Sequence, residues 1–207
     1  MKLHTDPRSL NTTKVLWLLH HHEIPFELVT IDLTRQENRS EHFTTLNPNR
    51  RVPVLEDGDL ILWESNAILQ YLAEKHQSDL LPQDLRGRAE LQRWLSWQLA
   101  HWGPALGTLT FQRIAPHLFP GFQVDHKALE EAQSQLDQLA PVLDGHLRGR
   151  QAVLGQFGLA DIALASFASE RAQAGIDLSG YRHISNWLER LEAQPAFQAA
   201  TRSRAHA

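Results

Sequence analysis

The sequence predicts an α/β domain of order β-α-β-α-β-β-α followed by an all-helical domain. Three observations carry this. Up to about residue 78, short strand-like apolar runs alternate with stretches of helical apolar spacing, and past about residue 85 the strand signals disappear. Between Leu46 and Leu72 a hairpin pattern runs straight into a helical one. Asp79-Leu80-Leu81-Pro82-Gln83-Asp84 is a proline-bearing link between the two patterns. The expected division is residues 1–78, a linker over 79–85 and a helical part over 86–207.

The elements follow in order. Lys2–Thr5 makes a first strand and Asp6-Pro7-Arg8-Ser9 a loop. Leu10–His22 has helical repeats at Val15, Leu16, Leu18 and Leu19, with Ser9, Asn11 or Thr12 able to cap it. Phe26–Asp32 alternates, as a parallel second strand would, and Ser40–Leu46 is a short helix. Val52-Pro53-Val54-Leu55 is a strand headed by a proline that cannot donate to a ladder. Glu56-Asp57-Gly58-Asp59 is turn chemistry, with Asp57-Gly58 a favoured hairpin pair, and Leu60–Trp63 returns. Asn66–Lys75 then has helical spacing through Ile68, Leu69 and Leu72, and Ser65 is placed to cap it. This order is that of a thioredoxin-like domain, its sheet covered on both faces.

In the helical part, Leu91, Trp94, Leu95, Leu99 and Trp102 form a wide apolar stripe along Arg88–Trp102. Gly103-Pro104 is expected to interrupt or bend that helix. Further helices are expected over Asp125–Leu147, Ala160–Ala174 and Ile184–Ala193, with residues 201–207 as a loose tail.

Composition narrows the function. The 207 residues are 42% hydrophobic and 21% charged, as in ordinary folded proteins. A net charge of −4 argues against a nucleic-acid binder. No apolar run approaches the ~18 residues a membrane span needs, and Met1-Lys2 leads into no signal-peptide core, so the expected compartment is the cytoplasm. The absence of cysteine excludes disulfides, thiolate metal sites and any enzyme-bound mixed disulfide. If a thiol reacts, the ligand brings it. His20-His21-His22 invites a metal, but consecutive residues at a helix end point in different directions and no HExxH pattern accompanies them. No metal is expected.

A helix that starts just after a strand presents unpaired N–H groups and a positive dipole end, which suits a carboxylate. The neighbouring Val52–Pro53 bond is of the kind that tolerates the cis form. The succession Asn47-Pro48, Val52-Pro53-Val54-Leu55, Asp57-Gly58, Glu64-Ser65 and an Ile-Leu-x-Tyr-Leu helix resembles the glutathione-binding half of cytosolic glutathione transferases. Asp6-x-x-Ser9 ahead of Lys14-Val15, and Pro82-Gln83-Asp84-Leu85 before Trp94-Leu95-x-Trp97-Gln98, are similar to theta-like and bacterial-type members. Phe157-Gly158-Leu159-Ala160-Asp161-Ile162 resembles the family's buried helix start, with Gly158 where a Ser or Thr cap is usual. The resemblance runs from Lys2 to about Phe197.

The resemblance implies an enzyme that binds glutathione as co-substrate, stabilises its thiolate and adds it to a small electrophile, for detoxification. It implies Ser9 as the first choice of donor to the sulfur and Asn11 as the second. Val52 and a cis Pro53 would meet the cysteinyl backbone, and Glu64 and Ser65 the γ-glutamyl end. Arg51, with Arg39 and Asn38, would face the glycine carboxylate, and Arg50 belongs to the same stretch. The family's homodimer would let Gln98 reach the partner's γ-glutamyl amine, and cover for the Leu91–Trp102 stripe fits a dimer. Leu10, Trp102, Leu106 and Phe111 would line the second-substrate site. Gly103 stands where some theta enzymes carry arginine, which removes the basis for anion-recognising specialities. Two alternatives are a glutathione-dependent peroxidase or disulfide reductase without an enzyme cysteine, and a non-catalytic binding module.

Overall fold

Strand β1 (Lys2–Thr5) lies at the middle of a four-stranded sheet of order β2-β1-β3-β4, in a computed structural model that describes residues 1–202. It pairs in parallel with β2 (Glu27–Thr30) and antiparallel with β3 (Val54–Asp57). The hairpin partner β4 (Leu60–Trp63) closes the edge. The strands alternate with helices α1 (Leu10–His21), α2 (Glu41–Leu46) and α3 (Ser65–Lys75), so the β-α-β-α-β-β-α order stands. A 3-10 turn over Glu37–Arg39, too short to leave a periodic signal in the sequence, precedes α2.

Local chemistry explains most boundaries. Ser40 caps α2 by accepting from the Phe43 N–H at 3.2 Å. Asp57 pairs with Leu60, so the turn residues are Gly58 and Asp59 rather than Asp57 and Gly58. Gly58 takes φ +65°, the left-handed conformation that glycine adopts without steric cost. Asp57 remains in the strand, where its carboxylate accepts from the Tyr71 hydroxyl at 2.8 Å and from Lys75. Ile31, Phe43, Leu46, Val52 and Val54 form one cluster against the sheet, with Leu33 packed on it. Helix α1 is buried from Thr12 through Leu19.

The chain divides into two compact units, Met1–Leu81 together with the segment from Ala193 on, and Pro82–Glu192. The helical part read as 86–207 is thus not one body: α9 (Pro195–Arg202) groups with the first unit. Its Phe197 ring meets Trp17 of α1 edge-on at 4.8 Å. Of the expected tail, Thr201 and Arg202 complete α9, and the remainder lies outside the described residues.

The second unit holds α4 (Leu85–Trp97), α5 (Gly103–Leu118), α6 (His126–Leu147), α7 (Leu159–Ala168) and α8 (Arg182–Glu192). Asp84 caps α4 on the Gly87 N–H at 2.9 Å and Asp125 caps α6 on the Ala128 N–H at 3.0 Å. Gly103-Pro104 does not stop the first long helix. A π-helical stretch over Gln98–Trp102 carries α4 into α5, and Pro104 falls in the first turn of α5, directly after that stretch. The Leu91, Trp94, Leu95 and Trp102 side chains are buried within this chain, and only Leu99 of that stripe is exposed. The stripe therefore needs no second subunit to cover it. Helix α7 is buried along its whole length, and Asp161 at its third position accepts from the Gly158 N–H at 3.0 Å. Glycine has no side chain to return the bond, so the box is one-sided.

Candidate functional site

The loop that leads into α1 is clamped by charge. Asp6, enclosed at the end of β1, accepts from the Arg8 N–H at 2.9 Å, its Nε at 2.8 Å and its Nη2 at 2.6 Å, and from the Leu33 N–H at 3.1 Å. Arg8 also donates to Asp32 Oδ1 at 3.0 Å. Burial pushes the Asp6 carboxyl up, but the Arg8 side chain and the Arg8 and Leu33 N–H groups together hold it below its ordinary value. The Thr34 hydroxyl is the main cause that holds Asp32 down to about 2. Ser9 follows this clamp in extended conformation, with its N–H on the Asp6 carbonyl at 3.0 Å. Its hydroxyl makes no capping bond, so the helix does not consume it.

The start of α3 faces the start of α1. Glu64 holds φ 72°, a left-handed conformation that is strained for a residue with a side chain, and it makes no side-chain cap. Ser65 is the first helical residue and not the cap expected from sequence. Its hydroxyl donates to Asn11 Oδ1 at 3.0 Å. The first intrahelical acceptor pair is Ile68 N–H to Glu64 O at 2.9 Å, so the amides of 65–67 have no acceptor within the helix. The Val52–Pro53 bond is cis, with both residues buried.

Lys14 joins these pieces. It is 0% exposed, on the wholly buried stretch of α1, and its Nζ donates to Ser65 Oγ at 3.1 Å and Asn66 Oδ1 at 2.9 Å. Burial pushes its ammonium down to about 7, against the opposing pull of Glu64. In the sequence Lys14 stands out only as part of a motif, and Asn66 does not stand out at all. The available signal was a lysine directly ahead of the apolar run Val15–Leu19, since a cation drawn into the core requires partners.

The other expected residues scatter. Asn38 Nδ2 donates to the Arg50 carbonyl at 2.8 Å, and Asn47 Nδ2 to the Arg51 carbonyl at 2.8 Å, so two asparagines brace the chain that leads to Val52. The Arg39, Arg50 and Arg51 residues are exposed, and Arg50 sits at φ 57°. Gln98 is 1% exposed within its own chain, which leaves it no atom to offer a partner subunit. Trp102 and Leu106 are fully buried, and the Trp102 indole N–H is spent on the Leu164 carbonyl at 3.0 Å. They are core and cannot line a substrate surface. Leu10 is half-buried, and Phe111 is 51% exposed beside the rings of Phe119 and Phe122. A Cβ on Gly103 would come within 2.5 Å of Gln98 Nε2 and 2.7 Å of its carbonyl oxygen, so glycine is required there by close approach.

The histidines behave differently from the sequence argument. Because His22 already leaves the helix, ligand atoms of His21, His22 and Asp79 lie within 4.8 Å of one another. His22 Nε2 is engaged with Ser78 Oγ at 2.6 Å and Asp79 is exposed. A separate open hollow of about 450 Å³, lined by Leu19, His20, Glu23, Ile24 and α9 residues, contains none of the candidate residues.

The chain matches the family model "Glutathione S-transferase, N-terminal domain" over residues 1–74 and "Glutathione S-transferase, C-terminal domain" over residues 108–195. Glutathione S-transferase 3 of Zea mays is 34% identical over 205 residues, covering 96% of this chain and 91% of that one. Glutathione S-transferase GstB of Escherichia coli (strain K12) is 32% identical, with 91% of each chain covered. The theta class enzyme of Xanthomonas axonopodis pv. citri, solved with glutathione bound, superposes with a TM-score of 0.88 at 29% identity, over 97% of this chain and 96% of that one. The fold, both family models and full-length similarity to plant, bacterial and theta class members agree: the chain belongs to the glutathione S-transferase family.

Proposed function

We propose that this protein is a glutathione transferase that binds glutathione in the first unit, holds its sulfur as thiolate at the start of α1 and adds it to a small electrophile. The observation that carries the reading is the 3.0 Å bond from Ser65 to Asn11, which joins the anion-binding start of α3 to the start of α1. The γ-glutamyl carboxylate then meets the amides and hydroxyl at 65–67, with Glu64 as partner for its amine. The cysteinyl backbone runs along Val52, and Arg51, Arg39 and Asn38 serve the glycine end.

A free thiol titrates near about 8.5, so few molecules are ionised at neutral pH. The Ser9 hydroxyl and the Asn11 amide, with the positive end of α1, favour the charged form. Addition then needs only approach of the electrophile, and no metal. Leu10, at the start of α1, supplies apolar surface for that second substrate. The protein acts as a homodimer in the cytoplasm, removing reactive electrophiles. No helix among the described residues is long and apolar enough to cross a membrane.

Retention on immobilised glutathione, followed by conjugation of an activated chloronitrobenzene, tests the reading. Retention with turnover is expected. Retention with peroxide or disulfide turnover alone identifies the peroxidase or reductase, and retention without any turnover identifies a binding module. Sedimentation at micromolar concentration is expected to give a dimer, and a clean monomer contradicts that part.

A further inference from the structure

Lys14 is a costly residue to bury, and the fold gives it a specific task. Its ammonium carries only donors. A hydroxyl that receives one of those N–H groups keeps its own hydrogen for another acceptor, and Ser65 sends its hydrogen to Asn11 Oδ1. The carbonyl side of the Asn11 amide is thereby committed toward α3. Its Nδ2 group, which makes no hydrogen bond among the described residues, is left as a donor beside Ser9. The chain of donors runs one way, from Lys14 through Ser65 to Asn11.

We propose that Lys14 is a positioning residue for the glutathione thiol: its ammonium sets the direction of the Lys14–Ser65–Asn11 chain, so that Asn11 presents an N–H rather than a carbonyl oxygen to the sulfur. An N–H stabilises a thiolate, whereas an oxygen in its place repels it. This rests on the reading that glutathione binds at the starts of α1 and α3.

The same geometry makes the chain reversible. A neutral amine can accept, so loss of the Lys14 proton lets Ser65 donate back and the Asn11 amide turn over. Burial brings that loss down to about 7. Glu64, ahead of α3, acts on Lys14 through its charge and favours the ammonium. Arg202 of α9 acts on His20 at the other end of α1.

The test compares wild type with Lys14→Met, which keeps the volume and removes the charge, and Lys14→Arg, which keeps a charged donor that does not titrate. Glutathione affinity, the pH titration of bound thiolate by its ultraviolet absorbance, and kcat are read together. Lys14→Met is expected to bind glutathione within a few-fold of wild type, to raise the bound thiol's pKa and to lower kcat about tenfold near neutral pH, the effect of one lost charge-assisted hydrogen bond. Lys14→Arg is expected to restore much of kcat and to lack the break near neutral pH in the wild-type profile. If Lys14→Met does not fold, the presence or absence of that break in wild type against Lys14→Arg decides alone. A folded Lys14→Met with unchanged thiol titration and kcat overturns the proposal while glutathione binding stands. Wild type that neither binds nor conjugates glutathione overturns the functional reading, and this inference with it.

Discussion

Both units of the molecule bury a charged side chain near a helix start, and the two are served differently. In the second unit Asp161 is 0% exposed, and its carboxylate receives the Val153 N–H at 2.9 Å, the Gly158 N–H at 3.0 Å and the Trp187 indole N–H at 2.7 Å. Every bond there ends on the carboxylate, and the network is closed. In the first unit Lys14 feeds a chain that ends on an amide with a donor to spare. A closed network holds a fold together. An open one has something left to offer a ligand. That difference separates a structural ion from a functional one more clearly than burial does.

The contrast can be broken first at Asp161. Asp161→Ala leaves three buried N–H groups unpaired, which costs roughly 3 kcal/mol or more. Urea unfolding should show that loss, while the folded fraction keeps its glutathione affinity. Gly103→Ala, in the same unit, drives a Cβ onto Gln98 and should cost roughly 1–3 kcal/mol by overpacking. An unchanged midpoint would mean that the π-helical stretch yields easily. Lys14→Met should go the other way. Replacing a buried ion by an apolar group of similar volume is often neutral or stabilising, so its Tm at pH 7 should hold or rise even as kcat falls. A large drop in Tm would make Lys14 a structural ion like Asp161.

The two sites also carry opposite pH signatures. Burial is the first cause that raises Asp161, from 3.8 in the unfolded chain to about 6, against the pull of its three donors. Between those values the folded state binds more protons, so this site's contribution to stability falls as pH rises through the window. Lys14 is lowered from 10.5 to about 7. Between those values the unfolded state binds more protons, and stability rises with pH. Lys14→Met should remove this rise between about 7 and 10.5 from the stability–pH curve and leave the acid limb alone.

Much of this was legible in the chain. The alternation of period-two and helical spacing located every strand and α1, α2, α3, α4, α6 and α8 to within a few residues, because those patterns follow directly from which face is buried; it gave no helix over Gly103–Leu118 and carried α7 six residues past Ala168. The motif from Asn47 to Leu72 led to Val52, Glu64 and Ser65. What escaped depends on tertiary neighbours. Ser65 has the composition of a cap, yet its hydroxyl is drawn to Asn11 and Lys14, and no local pattern shows that. Gln98, Trp102 and Leu106 follow one another at helical spacing, but all three are buried within their own chain, and periodicity does not distinguish a core face from a ligand face. Helix α9 begins at Pro195 and is only eight residues long, too short for its apolar spacing to be read alone, and its Phe197 packs on Trp17.

The account stands on an ionised thiol at the start of α1, and the ultraviolet absorbance of bound glutathione across pH measures that directly. Wild type should show the bound thiol titrating clearly below its free value of about 8.5. Ser9→Ala and Asn11→Ala should each move it upward and slow conjugation about ten- to a hundredfold, with a much smaller loss of affinity. Bound glutathione that titrates at or above the free value in wild type, or a titration that neither substitution moves, would contradict the account.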